Sequence, residues 1–344
     1  MRCLVTGAAG FVGGSLVERL RHEGHEVVAL VPRAVDAERL QGLGAQCEVL
    51  VPEELDEAAM RWLPGCTHVF HCDAYLDPEG PSEAFREVNV RGTRRLLELC
   101  LQAEVKRMVY LSSQSVVWDG DTEPLDEADP YPAHHLDPYS ASRAEAERLM
   151  LAAARAGRIE AVALRPGWTW GPGDTSLLPL LVRRALKGPI PLVGSGEFLT
   201  ATTYIEHLLD ALWEAATRPA ISGRAYFVSD DVSLTHRAFI DLQLSAVGVV
   251  ASYMHIPSMV AKAAAAVIEA TSPWVGMPSP LIRLLTGMAS QGISHNTTRA
   301  RTELGYQSRV SLEEGIARLS QWATRHGGAS GIAAILPPHV QESA

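Results

Sequence analysis

The 344-residue sequence predicts an α/β fold, in which a doubly wound parallel sheet is joined to a smaller, mostly helical C-terminal lobe. Three observations predict this fold. A glycine-rich turn at residues 5–13 follows a short apolar run and precedes an amphipathic run, the pattern of strand, turn and helix. Apolar strand-like runs then alternate with helical runs up to residue 166, as is typical of parallel sheets. Beyond that residue, Gly-Pro pairs divide the chain into shorter segments.

The glycine-rich turn indicates a dinucleotide site. Its spacing is G-x-x-G-x-x-G, formed by Gly7, Gly10 and Gly13, with Phe11 and Val12 between the last two. Glycines allow a sharp turn and a close approach to a pyrophosphate, which binds the free N–H groups of the helix N-terminus. A turn that only connects a strand to a helix is the alternative. The position directly after the first strand, with a second apolar run soon after the helix, favours the dinucleotide site.

Composition and charge narrow the function classes. The net charge is −10 and basic residues do not cluster, so a nucleic-acid partner is not expected. No apolar run reaches the ~18–20 residues that a membrane span needs. The first strand begins at Arg2, which leaves no room for a signal peptide, and the five cysteines lack metal-ligand spacing. We therefore expect a cytoplasmic protein with reduced thiols, no metal and no membrane span.

Hydrophobic periodicity places the elements along the chain. The predicted strands are 2–5, 27–31, 47–51, 68–72, 107–112, 160–164 and 225–228. The predicted helices are 15–20, 36–42, 53–63, 82–103, 139–156, 177–187, 205–216, 234–246, 256–270, 280–289 and 312–324. We expect a dinucleotide-binding Rossmann domain at residues 1–166, to which segments near 202–230 return, and a substrate-binding lobe at 167–326. Residues 327–344 are expected to form a loosely held tail.

Seven motifs, in order along residues 1–325, resemble the extended short-chain dehydrogenase/reductase family of the NAD-dependent epimerase/dehydratase type. They are TGxxGxxG at 6–13, NVxGT at 89–93, the serine position at 112–113, YxxxK at 139–143, LRPxxxYGPGD at 164–174, YIxxxLxxA at 204–211 and KAxxELGY at 298–306. The C-terminal half looks most like the branch of 3β-hydroxysteroid dehydrogenases, sterol-4-carboxylate 3-dehydrogenases and 2-alkyl-3-oxoalkanoate reductases. The resemblance implies a nicotinamide cofactor and a homodimer built on the helices at 90–103 and 139–156.

The resemblance also implies the catalytic residues. It places a general acid/base at Tyr139, a serine that hydrogen-bonds the substrate oxygen at Ser113, and a cation at residue 143. The family carries lysine there, whereas this chain carries Arg143, so its motif is YxxxR. A phenol has a pKa near ~10 and needs a nearby cation to act at neutral pH. Arginine keeps the charge and bonds ribose hydroxyls, but it does not release a proton. We therefore expect Arg143 to hold the cofactor and polarise Tyr139, and a proton relay through residue 143 to fail.

Further cofactor contacts follow from the resemblance. After strand four, relatives have H-x-A-A, whereas this chain has Cys72, Asp73 and Ala74 after the histidine. Asp73 would cap a turn, bond a ribose hydroxyl or repel a phosphate. At the end of strand two no aspartate is present to bind a ribose 2′-hydroxyl, and Arg33 would pair with a 2′-phosphate. This favours NADP(H) and leaves NAD(H) open; a solvated loop arginine is the alternative for Arg33.

Three more positions complete the predicted cofactor site. Asn89 lies in the long helix, where a polar packing residue is the alternative, and Pro166 and Gly167 follow strand six. Residues 51–53 lack the Gly-Asp-Leu with which relatives grip the adenine. Bulky apolar residues at 168–180 fit a hydrophobic substrate or, equally well, core packing.

The leading hypothesis is an NADP(H)-dependent reductase or dehydrogenase that interconverts a secondary alcohol and a ketone on a hydrophobic substrate, sterol-like or β-keto. A nucleotide-sugar epimerase or dehydratase is the second hypothesis, and it predicts a tightly retained NAD. The third is a cofactor-binding protein without redox turnover, or a fold reused for a lyase or cyclase step. Arg143 and Asp73 favour the third hypothesis, whereas the paired Ser113 and Tyr139 favour the first.

Overall fold

The computed structural model describes residues 1–49, 61–77, 80–120, 124–257, 259–260 and 292–335. Its strands are β1 (Arg2–Thr6), β2 (Glu26–Val31), β3 (Gln46–Val49), β4 (His68–His71), β5 (Arg107–Leu111), β6 (Glu160–Pro166), β7 (Trp168–Trp170), β8 (Ile190–Val193), β9 (Leu199–Thr200), β10 (Thr202–Tyr204), β11 (Arg224–Val228), β12 (Leu234–Thr235) and β13 (Tyr253–Ile256).

The helices and helical turns of the described residues are numbered separately, in chain order. The α-helices are α1 (Phe11–His22), α2 (Ala34–Gln41), α3 (Ser82–Phe85, a π-helical stretch Arg86–Gly92, and Thr93–Gln102), α4 (Pro138–Arg155), α5 (Leu177–Lys187), α6 (Ile205–Thr217), α7 (His236–Ala246), α8 (Leu312–Arg325) and α9 (Gly328–Ala334). A 3₁₀ turn lies at Gln114–Val116 and a π-helical turn at Ala300–Leu304.

Seven strands form one parallel sheet in the order β11-β6-β5-β4-β1-β2-β3. Within it, Val5 of β1 pairs with Ala29 of β2 on one side and with Phe70 of β4 on the other. The chain runs outward from β1 through β2 and β3 and then returns to the other side of β1 through β4. The topological switch point therefore lies between β1 and β4, where a ligand crevice opens at the carboxyl ends of the strands. The predicted doubly wound sheet is confirmed, including the return of β11.

The sheet is buried on both faces. Val5 and Ala29 share one core with Leu16 of α1, whereas Leu4 shares the opposite core with Met150 of α4. Successive side chains of a strand point to opposite faces, so β1 contributes to both cores. Near-continuous apolar strands are what a parallel sheet covered by helices requires.

The C-terminal lobe also contains three two-stranded sheets that the sequence pattern did not predict: β7 with β10, β9 with β12, and β8 with β13. Asp230 joins several of its parts. Its carboxylate accepts hydrogen bonds, each 2.8 Å long, from Trp170 Nε1, the Thr202 hydroxyl, the Tyr204 amide and His207 Nδ1. Four donors satisfy one largely buried carboxylate, which fixes β7, β10 and α6 against the loop after β11.

Two predicted helices differ from the structure. The helix predicted at 82–103 contains the π-helical stretch of α3. The helix predicted at 234–246 begins two residues later, because the Thr235 side chain accepts a hydrogen bond from the Ala238 amide and caps α7. Its first two predicted residues form β12 instead.

For residues 327–335 the structure corrects the expectation of a loosely held tail, and residues 336–344 of the predicted tail lie outside the described residues. Residues 328–334 form α9, which buries Ile332 completely. Arg183 of α5 donates hydrogen bonds to the main-chain oxygens of Ala333 and Ile335, at 3.2 and 2.6 Å. Packing and these bonds hold a glycine-rich segment whose composition alone predicts little order.

Some predicted elements lie outside the described residues: the helix at 280–289, most of those at 53–63 and 256–270, and residues 51–53. Within the described ranges no helix combines the length and apolar character needed to cross a bilayer. The same ranges contain no group of three or more side chains arranged to hold a metal ion.

Candidate functional site

The glycine turn joins β1 to α1 at the switch point. Gly7 has a φ of +64°, which favours glycine, and a Cβ there would lie 2.7 Å from the backbone nitrogen of Asp73. A Cβ on Gly13 would overlap the carbonyl oxygen of Gly7. Gly10 precedes α1 without a side-chain cap, and the first turn carries no acidic residue. The first N–H groups of α1 are therefore open to an anion, which fits the pyrophosphate of a dinucleotide.

A directed chain of hydrogen bonds lies beside this turn. The Thr93 hydroxyl donates to the Asn89 carbonyl at 2.7 Å, so it accepts from His71 Nε2 at 2.8 Å. His71 Nδ1 then accepts from the Thr6 hydroxyl at 2.7 Å, and the Thr6 oxygen accepts from the Asp73 amide at 3.3 Å. Burial, helped by a neighbouring cation, lowers the pKa of His71 to about 3, so the ring is neutral. The chain ties β1, β4 and α3 together under the site.

Asn89 braces the loop after β4 against the start of α4. Its Oδ1 accepts from the Tyr75 amide at 2.7 Å, and its Nδ2 donates to the Tyr75 carbonyl at 3.3 Å and to Ser142 Oγ at 3.0 Å. The Ser142 hydroxyl donates to the Tyr139 carbonyl at 2.8 Å. Asn89 lies in the π-helical stretch of α3, a feature common at functional sites. Because its amide is used within the protein, we expect Asn89 to position the site rather than to touch a cofactor.

Arg143 follows Tyr139 by one turn of α4, so both project from one face of the helix. Its guanidinium carbon lies 4.5 Å from the ring centre of Tyr110, and its Nη1 donates to the Asp73 carbonyl at 3.1 Å. Arg143 is only 1% exposed, and its Nε is buried without a partner. Burial raises the pKa of Tyr110, and both Arg143 and the half-buried Tyr139 lie close enough to influence it. Arg143 is thus a buried cation fixed between the ring of Tyr110 and the main chain just after β4.

Ser113 lies just beyond the carboxyl end of β5 and caps the 3₁₀ turn. Its Oγ accepts a hydrogen bond from the Ser115 amide at 3.2 Å and lies 2.9 Å from Ser115 Oγ. Val116 of this turn and Ala144 of α4 belong to the same core. The sheet edge that carries Ser113 therefore packs against the helix that carries Tyr139.

Arg33 precedes α2 and forms a bidentate pair with Asp36. The distances are 2.7 Å from Nε to Oδ2 and 2.8 Å from Nη2 to Oδ1. The cation that the sequence assigns to a 2′-phosphate is thus already bonded to a carboxylate. A 2′-phosphate would share Arg33 with Asp36.

The other predicted cofactor residues line the same edge of the sheet. Burial raises the pKa of the Cys72 thiol to about 12, which keeps it protonated and unreactive. The Gly167 amide donates to the Val228 carbonyl at 3.2 Å and to the Thr203 hydroxyl at 2.9 Å, and a Cβ there would overlap Ala201. The remaining residues are buried or half-buried: Phe11, Val12, Ala74 and Pro166.

Sequence reasoning missed a buried ion pair beside the site. Arg165 Nη2 lies 2.6 Å from Glu147 Oε1, and the Tyr131 hydroxyl donates to the same oxygen at 2.6 Å. Although burial alone would raise it, the adjacent Arg165 holds the pKa of Glu147 below its usual value. The available signal was a carboxylate four residues after Arg143, on the helix face that holds the site.

The geometry fits a nicotinamide dinucleotide. The glycine turn packs tightly against the main chain that follows β4, and the N-terminus of α1 carries no side-chain cap and is open to a diphosphate. Ser113 lies just beyond the carboxyl end of β5, and α4 brings Arg143 to the main chain just after β4, with Tyr139 one turn earlier on the same helix face. This arrangement can transfer a proton to a carbonyl oxygen next to a bound cofactor.

Comparison with known proteins supports this interpretation. Residues 3–228 match the NAD dependent epimerase/dehydratase family. The 4-hydroxy-2-methyl-3-oxo-4-farnesyl-3,4-dihydroquinoline-1-oxide ketoreductase of Stigmatella aurantiaca is 33% identical over 93% of this chain and 96% of its own. The 2-alkyl-3-oxoalkanoate reductase of Shewanella oneidensis is 31% identical over 92% and 84%. The 3beta-hydroxysteroid-dehydrogenase/decarboxylase isoform 1 of Arabidopsis thaliana is 30% identical over 92% and 78%.

A solved structure, MoeE5 in complex with UDP-glucose and NAD, is similar with a TM-score of 0.73 and 26% identity, covering 94% of this chain and 99% of that one. The curated relatives confirm the predicted branch and the predicted enzyme class, an NAD(P)-dependent oxidoreductase of the CH–OH/C=O pair. The family match extends from β1 to β11, well over half of the sequence. The chain belongs to the NAD dependent epimerase/dehydratase family.

Proposed function

We propose that this protein is an NADP(H)-dependent reductase or dehydrogenase that interconverts a secondary alcohol and a ketone on a hydrophobic substrate. The observation that carries the proposal is the pair Tyr139 and Arg143, one turn apart on α4, with Arg143 bonded to the main chain just after β4. Arg143 is thereby a fixed cation at the carboxyl ends of the strands, where ligands of such sheets bind, and Tyr139 projects from the same face of α4. A fixed positive charge on this face stabilises the negative charge that develops on the phenol oxygen when its proton is transferred.

The roles of the residues follow from their donors and acceptors. In the reducing direction, Ser113 donates a hydrogen bond to the substrate carbonyl oxygen and polarises it. Tyr139 gives its hydroxyl proton to that oxygen, and the charge of Arg143 stabilises the phenolate that results. A bound nicotinamide supplies the hydride. Because arginine does not release a proton, Tyr139 regains its proton from water in the crevice and not through residue 143.

The side chains beyond β6 support a hydrophobic substrate. The half-buried Trp168 lies 6.3 Å from the ring of His236, which stacks on the half-buried Phe198 at 5.2 Å. Leu199 adds an apolar side chain that is 46% exposed. The names of the relatives describe a farnesylated ring ketone, a 2-alkyl-3-oxoalkanoate and a steroid. A β-keto or sterol-like ketone with a large apolar body fits both sets of observations.

The NADP(H) preference rests on Arg33. We expect wild-type protein to bind NADPH more tightly than NADH, since a 2′-phosphate adds a charge-assisted bond to this guanidinium. Arg33→Ala should weaken NADPH binding about 10- to 100-fold and change NADH binding little. Asp36→Asn should strengthen NADPH binding because it removes the competing carboxylate. The matched control is Arg94→Ala on the exposed face of α3. Equal affinities for both dinucleotides would contradict the preference.

The first test of the function is to analyse any nucleotide that co-purifies with the protein and then to titrate NADPH and NADH. Binding of NADPH from solution, followed by reduction of a β-keto or steroid ketone, is the expected result. If the purified protein binds neither dinucleotide, the redox proposal is overturned.

A nucleotide-sugar epimerase or dehydratase is the second candidate, favoured by the NAD and UDP-glucose in the similar solved structure. It requires NAD that stays bound through purification, so mass analysis of the released nucleotide separates the two. A non-redox step is the third candidate, favoured by Arg143 and the exposed Asp73. It predicts dinucleotide binding without reduction of any ketone.

We also propose a homodimer in the cytoplasm, with α3 and α4 at the interface. Sedimentation equilibrium should then give twice the 37.1 kDa mass of the chain. Cys3, Cys66, Cys72 and Cys100 are unpaired thiols, which supports a reducing compartment.

A further inference from the structure

Asp73, two residues after the end of β4, lies at the switch point of the sheet. A bound dinucleotide would pass there from its pyrophosphate to its second ribose. The switch point lies between β1 and β4, and the glycine turn after β1 is the pyrophosphate side. A Cβ on Gly7 would stand 2.7–2.8 Å from the main chain of Asp73, so the two residues are in direct contact. The second mononucleotide half of a bound dinucleotide would lie on the side of the switch point formed by β4, β5 and β6. Asp73, two residues after β4, would then lie near the ribose that carries the nicotinamide, an inference that rests on the proposed cofactor.

Arg143 is poorly placed to bind that ribose itself. It exposes only 1% of its surface, and its guanidinium lies over the ring of Tyr110. One of its N–H groups already donates to the Asp73 carbonyl at 3.1 Å. A ribose contact requires donors or acceptors on the crevice surface, and a covered guanidinium offers little of its surface there. What Arg143 does hold is the main chain of Asp73.

Asp73 has the complementary arrangement. Its amide donates to the Thr6 hydroxyl at 3.3 Å and its carbonyl accepts from Arg143, so its main chain is bonded on both sides. The Asp73 residue is exposed. Desolvation among the surrounding protein atoms raises the pKa of its carboxyl, and the charge of Arg143 and a hydrogen bond from the Ala74 amide oppose that rise. A carboxylate accepts hydrogen bonds and donates none, and two adjacent ribose hydroxyls are the donors that suit it.

We propose that Asp73 is the residue that binds the nicotinamide ribose, by accepting hydrogen bonds from its hydroxyls, and that Arg143 is a positioning residue that holds Asp73 in place. The sequence resemblance assigns the ribose contact to residue 143, which would act as a hydrogen-bond donor. In this proposal Asp73 makes that contact instead, as a hydrogen-bond acceptor. If the carboxylate instead repels the diphosphate, removing it in Asp73→Ala should strengthen the binding of ADP-ribose and of ADP.

The test is calorimetric titration of the purified full-length protein with ADP-ribose and with ADP. Both ligands carry the adenosine and the pyrophosphate, and only ADP-ribose carries the second ribose. Asp73→Ala should weaken ADP-ribose binding about 10- to 100-fold and leave ADP binding unchanged or slightly stronger. Asp73→Asn, which keeps one acceptor oxygen, should fall between wild type and the alanine variant. Glu313→Ala, an exposed acid in the first turn of α8, removes the same charge elsewhere and should change neither affinity.

The outcomes separate this inference from the proposed function. Unchanged or stronger ADP-ribose binding by Asp73→Ala overturns the inference and leaves the proposed function intact. Equal losses for ADP and ADP-ribose also overturn it, because they indicate a damaged pyrophosphate site. The melting temperatures of both Asp73 variants show whether such a loss comes from misfolding, and the isosteric Asp73→Asn then decides. Wild-type protein that binds no dinucleotide overturns the proposed function, and the inference with it.

Discussion

His71 Nδ1 lies 2.7 Å from the Thr6 hydroxyl, so a side-chain hydrogen bond joins β4 to β1 at the switch point of the sheet. The Nε2 atom of the same ring lies 2.8 Å from the Thr93 hydroxyl and ties α3 to both strands. Thr6 donates to this ring and Thr93 accepts from it, so only the neutral imidazole with one N–H satisfies both. A second proton on His71 would point at the hydrogen of the Thr6 hydroxyl. The site is therefore built on an imidazole that must stay neutral.

The free energy of unfolding should decrease as the pH falls from about 6.5 to about 5. Desolvation lowers the pKa of His71 to about 3, of His236 to about 4 and of His295 to about 3. Because these folded-state values lie below the unfolded value, the unfolded chain binds more protons in this range, and stability present above it is lost. Each histidine contributes up to ~1.4 kcal/mol per pH unit. Urea unfolding at several pH values measures the slope.

His71→Gln is the control for that slope. Glutamine keeps one donor and one acceptor but does not titrate, so the variant should show a shallower decrease and lower stability at neutral pH, by ~1–3 kcal/mol. The raised pKa of the buried Asp174 carboxyl acts on the free energy of unfolding in the opposite direction, and it does so in wild type and variant alike, so the difference between the two slopes reports His71. The same slope in wild type and variant would contradict the assigned role of His71.

Breaking the Glu147–Arg165 pair should strongly destabilise the fold. Both side chains are nearly inaccessible, at 0% and 3%, so Glu147→Gln leaves a buried guanidinium without its counter-charge. We expect a loss of ~3–5 kcal/mol by chemical denaturation. The double variant Glu147→Leu with Arg165→Met removes both charges and should recover part of that loss. A loss below ~1 kcal/mol for Glu147→Gln would show that the pair is less buried than described.

Gly13→Ala should weaken dinucleotide binding and destabilise the chain, because its Cβ would overlap the Gly7 carbonyl oxygen. Gly10→Ala is the matched comparison. There the nearest atom to the added Cβ is the same carbonyl oxygen at 3.3 Å, so a small backbone shift relieves the contact. We expect a clear loss of NADPH affinity for Gly13→Ala and a smaller one for Gly10→Ala, measured by fluorescence titration. The reverse order would contradict the geometry of the turn.

The variants Arg143→Lys and Arg143→Met distinguish the effect of the positive charge of Arg143 on ketone reduction from the effect of its planar shape. Lysine keeps the cation beside Tyr139 but loses the flat contact with Tyr110, so ketone reduction should stay within about tenfold of wild type. Methionine removes the charge that stabilises the transferred proton's counter-charge on Tyr139, so kcat should fall by ~10²-fold or more. A large gain in turnover for Arg143→Lys would show that the native site is adapted to something other than standard redox chemistry.

The sheet and the glycine turn were predictable because their signals are local. An apolar run, a glycine triplet and an amphipathic run define β1, the turn and α1 within about twenty residues of sequence. The contact between Arg143 and Asp73 was not predictable, since it joins positions 70 apart in sequence that only the packing of α4 on the sheet brings together. The short strands β7 to β10 gave no signal in the sequence either. Strands of two to four residues depend on the tertiary partners with which they pair.

The decisive measurement for ketone reduction at Tyr139 is NADPH oxidation in the presence of a 2-alkyl-3-oxoalkanoate or a steroid ketone, by wild type and by Tyr139→Phe. Wild type should reduce at least one of these ketones. Tyr139→Phe should lose ~10²- to 10⁴-fold in kcat while binding NADPH as tightly as wild type. A wild-type protein that binds NADPH but reduces none of them, or a Tyr139→Phe variant as active as wild type, would contradict the account.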